Sequence, residues 1–202
     1  GSMHGQRALL KDPFAVFSAV WFAQTLNCEI VFTIRHPAAF ASSLKRLNWH
    51  FDFRDLLNQP MLMRDHLEAD RADMGSIQAD DMIGQSALLW RMIYRSVHST
   101  IGLFPRFNIV RHEDLSLDPV TGYKSLYESL GLTFTEKVED IILNSSSSEN
   151  PRERSQKRVH SVKLDSRANL ANWKKRLTSE EIARIRKMTE SVSHLFYSDN
   201  EW

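Results

Sequence analysis

The sequence predicts an α/β fold, a three-layer sandwich with a parallel sheet between layers of helices, and three observations lead there. Two short apolar runs, Glu29 to Ile34 and Phe107 to Val110, are rich in β-branched and aromatic residues. Such runs are the pattern of strands buried on both faces. The long stretches around them carry apolar residues at helical spacing. The first run passes within three residues into a helical pattern, which is half of a βαβ unit.

The elements follow in order. Ala8 to Lys11 is apolar and reads as a strand. Asp12-Pro13 supplies an N-cap and a first-turn proline. Phe14, Phe17, Val20, Trp21 and Leu26 continue at near-helical spacing, so a helix is expected from about Pro13 to Leu26. Cys28 reads as a small buried hydrophobe. After the strand ending at Ile34, Pro37 opens a helix over 38–47. Residues 51–59 read as irregular, 60–72 as one helix, and 80–101 as a long helix. The second strand precedes helices over 118–130 and 135–143, the former ended by Gly131 as its C-cap. A serine run at 145–148 opens a polar, basic stretch to about 170, read as a flexible loop. Order returns at Trp173, and Thr178-Ser179-Glu180-Glu181 starts a capped helix to about Ser191.

Composition narrows the function classes. A chain of 202 residues suits one domain, taken as 7–202, with 1–6 read as a tag or linker. A net charge of +1 suits neither a general nucleic-acid binder nor an acidic protein. An anion site must then come from local clustering. A single cysteine excludes an internal disulfide and fits a cytoplasmic setting. No stretch approaches the roughly 20 apolar residues of a membrane helix. The histidines at 36, 50, 66, 98 and 112 have no metal-ligand spacing with one another, so no metal is expected.

Two places cluster positive charge or anion donors. Arg35 stands where the first strand ends, and ligands of open α/β sheets bind beyond the carboxyl ends of strands. A guanidinium there suits a phosphate, and Ser43, two turns into the next helix, offers a hydroxyl to the same anion. An arginine simply paired with a neighbouring carboxylate is the competing reading. The second place is 151–176, where nine basic residues face only Glu153 and Asp165. The pair Glu113-Asp114 is read as capping a turn and pairing with basic neighbours. Trp49, Phe51 and Phe53 alternate, and they either cover the core or line an acceptor pocket.

Four segments in order carry a resemblance. Val31-Phe32-Thr33-Ile34-Arg35-His36-Pro37, with Ser43 beyond it, resembles the 3′-phosphate motif of sulfotransferases that use 3′-phosphoadenosine 5′-phosphosulfate (PAPS). Leu9-Leu10-Lys11-Asp12-Pro13 resembles their strand ending in a lysine turn. Val110-Arg111-His112-Glu113-Asp114-Leu115 resembles another strand and turn, with His112 where tyrosine is usual. Asn172-Trp173-Lys174-Lys175-Arg176-Leu177 resembles the end of their C-terminal loop.

The resemblance implies a P-loop NTPase-like sulfotransferase fold and a sulfuryl transfer from PAPS to a hydroxyl or amine acceptor, leaving adenosine 3′,5′-bisphosphate (PAP). It assigns Arg35 and Ser43 to the 3′-phosphate. It assigns the basic loop to the same phosphate, with Arg167 the first choice and Lys163 the second. Lys11 would stand beside the transferring sulfuryl group as the catalytic cation. The acceptor would be a small molecule, a glycan or a peptide. The family's glycine-containing loop for the 5′-phosphosulfate has no counterpart in the sequence. The chain is therefore expected to be an N-terminally truncated, inactive portion, with an exposed sheet edge that invites a homodimer. Two other readings remain at this point. One is a non-catalytic nucleotide-binding or interaction module on the same scaffold. The other is a small-molecule kinase of related fold.

Overall fold

Two parallel strands and the helices around them place the site, as given by a computed structural model that describes residues 7–104, 107–153 and 163–202. The expected tag at 1–6 and the middle of the expected loop, 154–162, lie outside the described residues. Strands β1 (Ile30–Ile34) and β2 (Phe107–Arg111) pair in register from Ile30 opposite Phe107 to Ile34 opposite Arg111. Phe32 and Ile34 point into the core, while Thr33 between them is exposed, as the two-residue period of a strand demands.

The helices start where the sequence supplies caps. Asp12 accepts the Phe14 N–H at 2.8 Å, and a 3-10 turn (Ala15–Ser18) leads into α1 (Ala19–Thr25). Pro37 opens α2 (Pro37–Leu47), which ends at Asn48 in the left-handed conformation, φ 50°. Asp81 caps the long α3 (Met82–Thr100) by accepting the Gly84 N–H at 3.0 Å. Helix α4 (His112–Leu117) follows β2 directly. Then come α5 (Pro119–Ser129), α6 (Glu136–Ser146) and the short α7 (Ser166–Leu170) and α8 (Asn172–Arg176). Thr178 and Glu181 form a reciprocal capping box at the start of α9 (Ser179–Ser193).

Helix α3 is the centre of the packing. Trp90 and Tyr94 lie against Phe32 and Ile34 of β1 and Val192 of α9. Leu88, Leu89 and Met92 face the segment 53–74. Helix α2 presents Ala38, Ala39 and Ala41 to Ala87, Trp173 and Ile185, and these small side chains let three helices approach closely. Each large side chain fully buried this way contributes about 1.5–3 kcal/mol of transfer free energy. No helix of the described residues is long and apolar enough to cross a membrane.

Four local expectations are corrected. Residues 8–11 form no strand; Leu9 is 92% and Leu10 65% exposed. An apolar run becomes a strand only when a neighbour takes its N–H and C=O groups, and none among the described residues does. The segment 60–72 is several pieces: Pro60–Leu62, a π-helical turn at Met63–Leu67, a 3-10 turn at Glu68–Asp70 and a helix from Arg71 to Ser76. The break lies where α3 intervenes, since Arg95 donates to the His66 carbonyl and both Arg91 and Arg95 bind Asp70. Residues 51–59 include a short helix, Arg54–Leu57. Cys28 is half-buried.

Candidate functional site

The site is built at the carboxyl end of β1. Arg35 follows the last strand residue, and α2 begins two residues later. The backbone there is held from three sides. Trp90 of α3 donates its indole N–H to the Arg35 carbonyl at 2.7 Å, and Tyr94 donates its hydroxyl to the Thr33 carbonyl at 3.0 Å. Burial pushes the Tyr94 phenol up to about 12, so it remains a donor at neutral pH. From α4, Glu113 accepts the His36 N–H at 2.9 Å.

On this fixed turn the Arg35 guanidinium reaches Ser43, Nη1 to Oγ 2.8 Å. The two residues chosen from sequence for one anion are therefore brought together. The serine oxygen accepts from the arginine, which leaves its own proton to donate elsewhere. A guanidinium and a hydroxyl aimed at one place make a donor set suited to a phosphate.

His36 is the hinge of the same turn and was not singled out from sequence as a site residue. Its ring is 3% exposed. It stacks on Trp173, with 5.0 Å between centroids and 13° between planes, and it meets Tyr197 and Trp202 edge-on. Its Nδ1 accepts the Ala38 N–H at 3.2 Å and so caps α2. Burial lowers its pKa from 6.5 to about 4, which keeps the ring neutral. Only long-range packing brings these rings together, so sequence spacing gave no signal of it.

The C-terminal residues close over this end of the sheet. Tyr197 donates to the second Glu113 oxygen at 2.9 Å, and burial beside that carboxylate pushes the phenol far above its usual range. Arg111, the last residue of β2, lies over the Tyr197 ring and forms an ion pair with Glu201. The reading of Glu113-Asp114 as a turn cap is thus corrected for Glu113, which braces β1 against the C-terminus. Asp114 does pair with a basic neighbour, Arg111, at 3.7 Å.

The basic tract divides. The Arg167 guanidinium donates to the Leu117 carbonyl at 2.8 Å, at the end of α4, and does not join Arg35 and Ser43. Lys163 is exposed, just ahead of buried Leu164. Among the described basic residues of the tract, Arg176 reaches α2 with its side chain. It donates to Ser42 Oγ at 3.4 Å, beside Ser43, and pairs with Glu153 at 3.0 Å. Its place follows from Trp173 and Leu177, which bury against the α2 alanines on either side of it. Lys11 lies in the exposed, irregular segment before α1.

A cavity of about 490 Å³ opens near the other end of α2. Phe51 lines it, Phe53 is in the core, and Trp49 is 59% exposed, so the three alternating aromatics have three different fates.

No curated protein matches the sequence. Among solved structures, a sulfotransferase domain from the curacin biosynthetic pathway is similar in fold, with a TM-score of 0.51 at 15% identity. The similarity covers 93% of this chain and 59% of that one, so the chain spans less than two thirds of its neighbour's length. The family model of the sulfotransferase domain matches residues 18–197, nearly the whole chain, and on that match the chain belongs to the sulfotransferase domain family.

Proposed function

We propose that the chain binds the 3′-phosphate of PAPS or PAP through Arg35 and Ser43 and serves sulfuryl transfer to an acceptor hydroxyl or amine. The observation that carries this reading is the 2.8 Å contact between Arg35 and Ser43 on a turn fixed by Trp90 and Glu113. The two donors are held before any ligand arrives, so little ordering is required on binding. PAPS supplies an activated sulfuryl group.

The chain's own residues have separable tasks. Arg35 neutralises phosphate charge with a planar fork, and Ser43 directs its hydroxyl to the same oxygens. Arg176, which donates to Ser42 and pairs with Glu153, is a further candidate cation beside α2. Lys11 is the candidate cation for charge developing in transfer. Arg167 and Lys163 remain candidates for the phosphate, and for Arg167 this requires release of the Leu117 carbonyl.

Calorimetric titration of the chain with PAP tests the reading through binding, independently of turnover. Wild-type binding that disappears in Arg35→Ala, with the far-UV spectrum unchanged, is the expected result. Equal binding by the variant overturns the assignment.

A further inference from the structure

The cavity beyond α2 has a chemistry of its own. Its apolar walls are Phe14, Phe17, Phe51, Leu56, Met61 and Leu62. Phe14 and Phe51 stack on each other in its wall, with 6.0 Å between centroids. Leu56 forms the buried floor, and Met61 stands exposed at the mouth. The polar groups are Asp55, Asp65, Gln59 and His66. The carboxylates are unequal. Asp65 is paired with Arg64 at 2.6 Å. Asp55 has no ion-pair partner among the described residues, because the adjacent Arg54 is committed to Asp52. Gln59 turns its amide to the Asp55 carbonyl at 2.7 Å rather than to the carboxylate. Among the described residues no lysine or arginine lines the cavity. Apolar walls with a carboxylate outside any ion pair at the rim select a molecule with an apolar body and a positive charge. The aromatic faces favour the same charge.

The cavity and the anion site lie at opposite ends of one helix. Helix α2 has Arg35 before its first residue and Asn48 after its last, and its eleven residues rise about 16 Å. Phe51 follows just past that end, and its backbone N–H is fixed by Gln85 of α3 at 3.0 Å. The wall residue Phe14 comes three positions after Lys11 in the same segment.

We propose that this cavity is the acceptor site and that it takes an apolar molecule carrying a protonated amine as its recognition group, with a separate hydroxyl as the group to be modified. Its role as an acceptor site rests on the sulfuryl-transfer reading above. Anionic acceptors are disfavoured by Asp55, and small fully polar ones leave the phenylalanine walls uncovered.

Three probes of one shape and different charge test this: phenethylamine, phenethyl alcohol and phenylacetate, titrated calorimetrically at neutral pH. The amine binds about tenfold more tightly than the carboxylate, with the alcohol between them, the preference one partly shielded charge pair supplies. The double variant Asp55→Asn/Asp65→Asn brings the amine down to the alcohol and leaves the alcohol unchanged. Phe51→Ala weakens all three. Arg35→Ala abolishes PAP binding and leaves the three probes unaffected. Equal or tighter binding of phenylacetate overturns the proposal, as does amine binding indifferent to the Asn pair. Failure of a folded chain to bind the amine while it binds PAP overturns the proposal and leaves the transfer reading standing. Amine binding without PAP binding refutes the assignment as an acceptor site.

Discussion

The Glu113 carboxylate accepts the backbone N–H of His36 at 2.9 Å, across 77 residues of sequence. Its other oxygen accepts the Tyr197 hydroxyl at the same distance. One side chain therefore joins the end of β1, the start of α4 and the C-terminal segment, next to Arg35. Glu113→Ala removes both acceptors and leaves a buried N–H and a buried phenol without them. A loss of about 2–4 kcal/mol in urea unfolding is expected, with PAP affinity falling although Arg35 is intact. Tyr197→Phe removes only one of the two bonds and is expected to cost about 1 kcal/mol. Glu113→Gln, which keeps an acceptor for His36, falls between them. Equal stabilities for Glu113→Ala and wild type exclude the bracing role.

Ser43 separates two meanings of its contact with Arg35. If the hydroxyl only holds the guanidinium, Ser43→Ala leaves PAP binding within a factor of about two. If it also donates to the phosphate, the loss is that of a hydrogen bond to a charged group, about tenfold or more in Kd. The second outcome is expected, because the serine accepts from Arg35 and retains its proton for the ligand. The site is partly exposed, so thermal stability changes little. Calorimetry and a melting curve on the one variant check both statements.

Much of this architecture was legible in the sequence because its signals are local. The β-branched run before Arg35, Pro37 at the helix start, the Thr178–Glu181 capping box and Gly131 at φ 60° are each a few residues long. Arg35 and Ser43 were legible too, since a strand end and two helical turns fix their separation. What the sequence hid is what tertiary contacts decide. Ala8 to Lys11 has strand composition but no partner among the described residues to pair with. The segment 60–72 has helical periodicity, yet arginines from α3 turn it inward at Asp70. The aromatic enclosure of His36 gathers Trp173, Tyr197 and Trp202 from far along the chain. Arg176 reaches Ser42 because its neighbours are buried, whereas Arg167, an equally basic residue of the tract, is drawn to Leu117.

Asp70 is a structural counterpart to the anion site. It is 1% exposed and binds Arg91 and Arg95, two residues one helical turn apart on α3. Arg91 also pairs with Asp73. Removing one partner of a buried ion pair strands the others in a poorly solvated place. Asp70→Ala is expected to destabilise by about 3 kcal/mol, and Asp73→Ala, at an exposed position, by under about 1 kcal/mol. The loss should appear in denaturant unfolding with PAP affinity preserved in the folded fraction. Comparable losses for the two variants exclude Asp70 as the anchor of this segment.

His36 gives the fold a pH dependence whose sign is fixed by its position. The ring is buried and neutral, with its pKa lowered to about 4 against 6.5 when unfolded. The unfolded chain takes up a proton first as pH falls, so the stability from the neutral ring is complete above 6.5. It is lost between 6.5 and about 4, and changes no further below that. A shift of this size corresponds to about 3 kcal/mol. Protonation also removes the lone pair with which Nδ1 accepts the Ala38 N–H, so the start of α2 should loosen beside Arg35. Unfolding free energy measured from pH 7.5 to 4 should fall on this schedule. His36→Asn retains a capping side chain without the titrating ring, and its profile should be flatter across the same window. A wild-type profile no steeper than that of the variant would show that the ring takes up its proton in the folded state as readily as in water.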